Sequence, residues 1–232
     1  MPGSPERPRD ANHDDETMLR FEAGIRLIHW VHAVPFLFLL VTGLTLFIQP
    51  IKAAHIDGYR IVPLLHVLAG LGFIASPLAL FLWLRTDRAS ADDIHRLFSL
   101  RREDVPWARY AVGAVLGARV RIPPTAKFNL GQKANAVITV AVTAALMLSG
   151  AVLAVNFFTK RVFSAGLVEG VFPLHDLFML IALPVVLVHI YLGSLHPGTR
   201  ESLRGIISGR VSRGWARDHH DLWVEEIESR NP

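Results

Sequence analysis

The chain has 232 residues, 51% of them hydrophobic, with a mean hydropathy of +0.36 and a formal net charge of +4. That apolar content exceeds what a soluble domain of this size needs to fill a core, so the first reading is an all-α integral membrane protein. The absence of cysteine excludes disulfides, iron–sulfur ligation and covalently attached haem within the chain, and leaves His, Met or carboxylate to hold any metal.

Residues 1–20, MPGSPERPRDANHDDETMLR, are charged and Pro-rich, without the apolar run or small-residue cleavage site of a signal peptide. They read as a disordered tail, and His13 beside Asp14, Asp15 and Glu16 reads as solvated rather than as a metal cluster. Four apolar segments follow, at about 25–48, 61–84, 134–155 and 171–195, each long enough to cross a bilayer. They predict a four-helix transmembrane bundle over residues 21–195, with a loop at 85–133 and a C-terminal tail at 196–232. Lys and Arg number four before and at the first span, ten in the 85–133 loop and six after the fourth span, against two in each of the other connections. This asymmetry places both termini and the long loop in the cytoplasm. The basic pI near 9.8 is therefore a topology signal, and no nucleic-acid partner is expected.

The first span carries His29 near its cytoplasmic end, with His32 three residues later. The second enters from the outer side and carries His66 about one turn in. Pro35, Pro77 and Pro184 each remove a backbone hydrogen bond that neighbours must replace. In the 85–133 loop, one or two surface helices are expected, with Asp104 and Pro106 suited to a helix start, and one of them could lie amphipathically at the interface. His95 there reads as exposed and inert. The third span has no histidine and reads as packing. The fourth holds His175 and His189, fourteen residues apart, which on a helix is about 21 Å of rise and nearly one face. His175 thus shares the depth of His66, and His189 that of His29. Gly43, Ala69, Gly70 and Gly72 would admit a flat, bulky group nearby.

Four buried histidines at two depths can hold two metal centres, each by two axial imidazoles. Haem b fits best, because it needs no covalent attachment, and with both axial positions filled it serves electron transfer rather than substrate binding. Zinc or non-haem iron calls for three or four ligands at one level, and Asp176 is the one carboxylate within reach. Spacing hardly separates His29 from His32. His55, His196, His219 and His220 read as non-ligands in loops or tails, although the adjacent His219 and His220 could take up stray metal. The tail itself reads as a helix lying against the bundle or a partner.

The segments RLIHW, TGL, LLHVLAG, REDVPW, KFNLGQK, LHDLF, LVHIYL and GRVSRGWARDHHDLW, in that order from about Arg20 to Glu226, resemble the gamma subunit of membrane-bound formate dehydrogenase. That subunit is a cytochrome b, in the wider family of cytochrome b subunits that also serves Ni/Fe hydrogenases. KFNLGQK and GRVSRGWARDHH are the specific parts. The resemblance implies two haem b groups, the inner on His29 and His189 and the outer on His66 and His175, and favours His29 over His32 because the family's ligand precedes a Trp. It further implies a quinone, menaquinone or ubiquinone, contacted by Asn129, Gly131 and His189. The implied partners are an iron–sulfur beta subunit and a molybdenum- or tungsten-pterin alpha subunit, the latter oxidising formate, around a multi-pass chain of the bacterial inner membrane with no catalytic residue of its own. Two other readings stand beside it: a cytochrome b of a hydrogenase or thiosulfate reductase, and a haem-free membrane anchor or proton-relay bundle.

Overall fold

The computed structural model describes residues 16–48, 61–115, 123–159 and 162–230. In chain order the elements are β1 (Thr17–Leu19), α1 (Ala23–Phe47), α2 (Ile61–Leu84), α3 (Arg88–Phe98), α4 (Asp104–Val115), α5 (Leu130–Thr159) and α6 (Ala165–Ile190). A π-helical turn (Tyr191–Leu195) then leads to α7 (Glu201–Ser208), β2 (Arg210–Ser212), α8 (Arg213–His219) and α9 (Asp221–Arg230). His13, His55 and most of the N-terminal tail lie outside the described residues.

The helices α1, α2, α5 and α6 with its π turn are long and apolar enough to cross a membrane. Two of the expected spans are longer than hydropathy alone marks. α5 begins at Leu130 because Asn129 and Gln132 form a reciprocal cap: the Gln132 N–H donates to Asn129 Oδ1 at 2.9 Å, and the Asn129 N–H donates to Gln132 Oε1 at 2.9 Å. This is the capping-box arrangement with Asn in the first position. α6 begins at Ala165 because Ser164 accepts the Leu167 N–H. Hydropathy reports the lipid-facing length of a helix, whereas its ends are set by caps.

α5 packs along α6 and α1 along α2, with α2 closing on α5 and α1 on α6. The bundle centre is a buried apolar cluster of Phe36, Leu40, Phe73, Val142, Met179 and Ala182. The outward faces are apolar as well: Leu148 is 72% exposed, Leu78 63% and Leu187 57%. Such faces suit lipid, and association between the helices then rests on packing and polar contacts rather than on escape from water.

One end of the bundle is capped. β1, expected on sequence grounds to belong to a disordered tail, pairs antiparallel with β2, Met18 opposite Val211. Gly209 makes the junction: it ends α7 in the left-handed conformation at φ 86°, which favours glycine, and its carbonyl accepts the Arg20 N–H at 2.7 Å and the Phe21 N–H at 3.1 Å. Val211, Ala216, Trp223 and Val224 form a second apolar cluster, with Trp215 and Met18 against it. The C-terminal segment is thus folded onto the bundle. Arg20 is buried at its centre, within cation–π distance of Phe21, Trp215 and Trp223. Burial lowers the Arg20 guanidinium to about 9, with Asp93 opposing the shift. Lys127, also lowered by burial, pairs with Asp93, and Arg96 binds both oxygens of Glu226 at 2.8 Å.

α3 and α4 occupy the long loop. α4 starts at Asp104, as the sequence predicts, and α3 starts on Asp87, whose carboxylate accepts the Ser90 N–H at 3.1 Å. α3 lies against α1, α2 and α5, with Ser90 and Asp93 buried, so it belongs to the cap. His219 and His220 do not form a metal pair: His220 is buried with its Nδ1 at 2.8 Å from the Ala126 carbonyl, and His219 Nδ1 lies at 3.0 Å from the Trp215 carbonyl.

Burial, and then the Arg20 charge, holds His220 well below its ordinary value of 6.5. It is neutral in the folded cap while the unfolded chain takes up a proton near that pH, so stability is full above about pH 6.5 and falls below it by up to about 1.4 kcal/mol per pH unit. Thermal unfolding of the detergent-solubilised protein at pH 7.5 and 5.5 should show this acid sensitivity, and His220→Gln should lose that increment. An identical pH response in the two proteins would exclude His220 as its source.

Candidate functional site

The histidines predicted from the spans meet in pairs. His29 of α1 faces His189 of α6 with ring centroids 6.3 Å apart, and His66 of α2 faces His175 of α6 at 6.4 Å. The first pair lies toward the capped end and the second toward the opposite end. α6 supplies one ring to each, and the Phe36–Phe73–Met179 cluster lies between the levels. His32 stands apart: its ring packs on Phe36 and Phe73, at 5.7 and 4.9 Å. Spacing along the sequence left His29 and His32 equivalent, and the turn of α1 separates them.

The two ring separations have a simple meaning. Atoms of a five-membered ring with bonds of about 1.35 Å lie about 1.15 Å from its centre, and with a metal–imidazole bond of about 2.0 Å, two imidazoles on opposite sides of one ion have centres about 6.3 Å apart. Both pairs match that value. Among the described residues, no group of three or more His, Cys, Asp or Glu gathers around a point, so the site offers two imidazoles per level and no tetrahedral cage. Two-imidazole, axial ligation is what haem b takes from an apolar slot between helices.

Polar neighbours hold the rings, and sequence reasoning had assigned none of them. Thr42 Oγ1 lies 2.8 Å from His66 Nδ1, Ser149 Oγ lies 2.7 Å from His175 Nδ1, and the Asn135 side-chain amide lies 3.3 Å from His189 Nδ1. His29 Nδ1 is buried with no hydrogen-bond partner among the described residues. Ser149 and Asn135 both belong to α5, the span without histidines, whose role therefore exceeds packing.

The KFNLGQK motif forms the start of α5. The side-chain oxygen of Asn129 is committed to the cap described above. Gly131 lies under the Trp107 ring, where an added Cβ would approach Cη2 to 2.6 Å, so a larger residue there would have to push the ring aside. Gly131 and Asn135 are one turn apart on one face of α5, which connects the motif to His189 through the Asn135 amide. Lys133 and Asp104 form an ion pair with N–O distances of 2.9 and 2.8 Å and with both side chains under a tenth exposed. His95 is exposed, His196 is at the exit of the π turn beside Thr199, and among the described residues Asp176 belongs to no group of three or more possible metal ligands.

Facing imidazole pairs at two levels of an apolar four-helix bundle define the class: a membrane cytochrome b. The chain belongs to the prokaryotic cytochrome b561 family, which it matches over residues 20–209. That family implies haem b. Among curated relatives, the chain is 26% identical over 216 residues to the cytochrome b556(fdo) subunit of a formate dehydrogenase from Escherichia coli (strain K12), covering 91% of this chain and 94% of the relative. It is 23% identical over 205 residues to the cytochrome b556(Fdn) subunit of the nitrate-inducible formate dehydrogenase of the same organism, covering 88% of each. The formate dehydrogenase cytochrome b556 subunit of Haemophilus influenzae is 25% identical over 219 residues, covering 92% of this chain and 84% of that one.

The buried Lys133–Asp104 pair ties α4 to α5 beside the motif. Lys133→Met should leave the Asp104 charge unpaired and destabilise the protein by about 3–5 kcal/mol, whereas replacing both residues by apolar ones of similar volume should recover most of that loss. Denaturant unfolding of the three proteins checks it, and a double variant as weak as Lys133→Met would show that the pair does not act as a unit.

Proposed function

We propose that this chain is the di-haem electron-transfer subunit of a membrane-bound formate dehydrogenase, reducing quinone. The observation that carries the reading is the pair of imidazole separations, 6.3 and 6.4 Å, at two levels fourteen residues apart on α6. His29 and His189 hold one haem b and His66 and His175 the other. When bound, each would supply a one-electron iron couple, with the facing histidines as its protein ligands. The Phe36–Phe73–Met179 cluster keeps water out between the levels.

Sidedness follows from the basic residues, which lie in the termini and the α2–α5 connection: the capped end is cytoplasmic and the His66–His175 end faces outward, in the bacterial inner membrane. The partners would be an iron–sulfur beta subunit delivering electrons at the outer level, and a pterin-bearing alpha subunit oxidising formate. The names of the relatives support formate as the electron source. At the capped end, Asn129, Gly131 and His189 contact the quinone. The Asn129 amide nitrogen, not used by the cap, donates to a quinone oxygen.

A dithionite-reduced visible spectrum of the purified complex should contain two haem b per copy of this chain, and His66→Ala or His175→Ala should halve that content by removing the outer haem alone. Equal loss at both levels in each variant would contradict the two-level arrangement. Absence of haem b altogether would favour the anchor or proton-relay reading.

Asn129→Asp separates the two roles of that residue. The carboxylate still caps α5 but offers no amide donor, so quinone reduction should slow several-fold with haem content and thermal stability retained. Unchanged quinone kinetics would remove Asn129 from the quinone site.

A further inference from the structure

The partners of the outer-level histidines decide which ring nitrogen carries a proton. Thr42 Oγ1 lies 2.8 Å from the Phe38 carbonyl of its own helix, one turn back, and 2.8 Å from His66 Nδ1. Ser149 repeats the arrangement on α5, with Oγ 2.7 Å from the Ala145 carbonyl and 2.7 Å from His175 Nδ1. A hydroxyl has one hydrogen, and in each case a backbone carbonyl, which can only accept, receives it. With its hydrogen given to that carbonyl, the hydroxyl oxygen offers the imidazole a lone pair, an arrangement that suits a proton on Nδ1 and a bare lone pair on Nε2.

The residue after each hydroxyl is glycine. An added Cβ at Gly43 would stand 3.4 Å from His66 Cε1, and one at Gly150 would stand 3.3 Å from His175 Cε1. A hydroxyl–glycine dipeptide on the adjacent helix therefore grips each ring by a hydrogen bond, and its glycine leaves the ring the space a Cβ would crowd. The two rings are fixed 87° apart, against 42° for His29 and His189. The inner pair lacks such a grip: His189 meets the Asn135 amide at 3.3 Å and His29 Nδ1 meets nothing.

We infer that Thr42 and Ser149 are positioning residues for the outer haem, each locking its histidine in the Nδ1–H tautomer and in a plane perpendicular to the other ring. This rests on the haem reading above. An acceptor on Nδ1–H makes the coordinating nitrogen more basic, which favours the ferric state and lowers the outer midpoint potential. Perpendicular imidazole planes donate equally into two iron d orbitals and leave them nearly degenerate, so the oxidised outer haem has a more anisotropic low-spin EPR signal than the inner one.

The test uses the purified complex, with haem content, a redox titration and low-temperature EPR for Thr42→Val, Ser149→Ala, Thr42→Ser and Ser149→Thr. In the first two, the outer haem's midpoint should rise and its EPR signal should shift, or the outer haem alone should be lost, while the inner haem keeps both properties. The hydroxyl-retaining variants should behave as wild type. Full haem content with both midpoints and both signals unmoved in Thr42→Val and Ser149→Ala would overturn the inference and leave the two-haem reading intact. So would equal loss of the outer haem in the hydroxyl-retaining variants, which would show that side-chain shape and not the hydroxyl matters. A wild-type complex without haem b would sink both.

Discussion

A separation of about one ion and two bonds between facing imidazoles is the constraint on which the rest of this bundle depends. Imidazoles buried among lipid-facing helices are costly unless their polar atoms find partners. Packing alone brings little to offset that cost, since lipid is as apolar as the leucines of the helix faces. A group bridging α1 to α6 at one level and α2 to α6 at the other would therefore do more than carry electrons. It would cross-link three helices that are otherwise held by packing and by polar contacts such as Thr42–His66, so its binding free energy would count toward folding.

The fold was legible where it follows from hydropathy and charge. Four spans, two histidine levels and a helix start at Asp104 all rest on one-dimensional patterns that the bilayer and backbone geometry enforce. The β1–β2 pairing was not legible, because a three-residue strand carries too little pattern to stand out from a charged tail. Its stability comes from long-range partners: the Gly209 carbonyl, the Trp215 and Trp223 rings around Arg20, and Arg96 on Glu226. His220 shows the same limit. Beside His219 in an acidic and basic stretch it reads as a non-ligand of the tail, and only the folded cap reveals it as a buried donor to the Ala126 carbonyl.

The third span misled for a different reason. A helix without histidine offers no residue type that announces ligation, yet Asn135 and Ser149 on that helix reach rings at both levels. A polar side chain within a span is the available signal, since each one needs a partner in lipid. Serine and threonine usually satisfy that need with the carbonyl one turn back. Thr42 and Ser149 do so too, which is why they look ordinary in sequence. What distinguishes them is the oxygen lone pair left over, which a facing imidazole can use.

That leftover lone pair differs between the two levels, and the difference has a direction. At the His66–His175 level both ring Nδ1 atoms lie at ordinary hydrogen-bond length from a hydroxyl oxygen, whereas at the His29–His189 level one ring meets an amide at 3.3 Å and the other has no hydrogen-bond partner among the described residues. With haem bound at both levels, greater ligand basicity at the His66–His175 level would stabilise the oxidised state there relative to the His29–His189 level, so an electron delivered to the first pair would move downhill toward the second. An electron moving inward works against the membrane potential by about 2.3 kcal/mol per 100 mV. Any gap in potential built into the two ligand sets offsets part of that cost before quinone chemistry contributes. Two hydroxyl groups would thus bias the direction of transfer, through nothing more than which of the ring N–H groups find an acceptor.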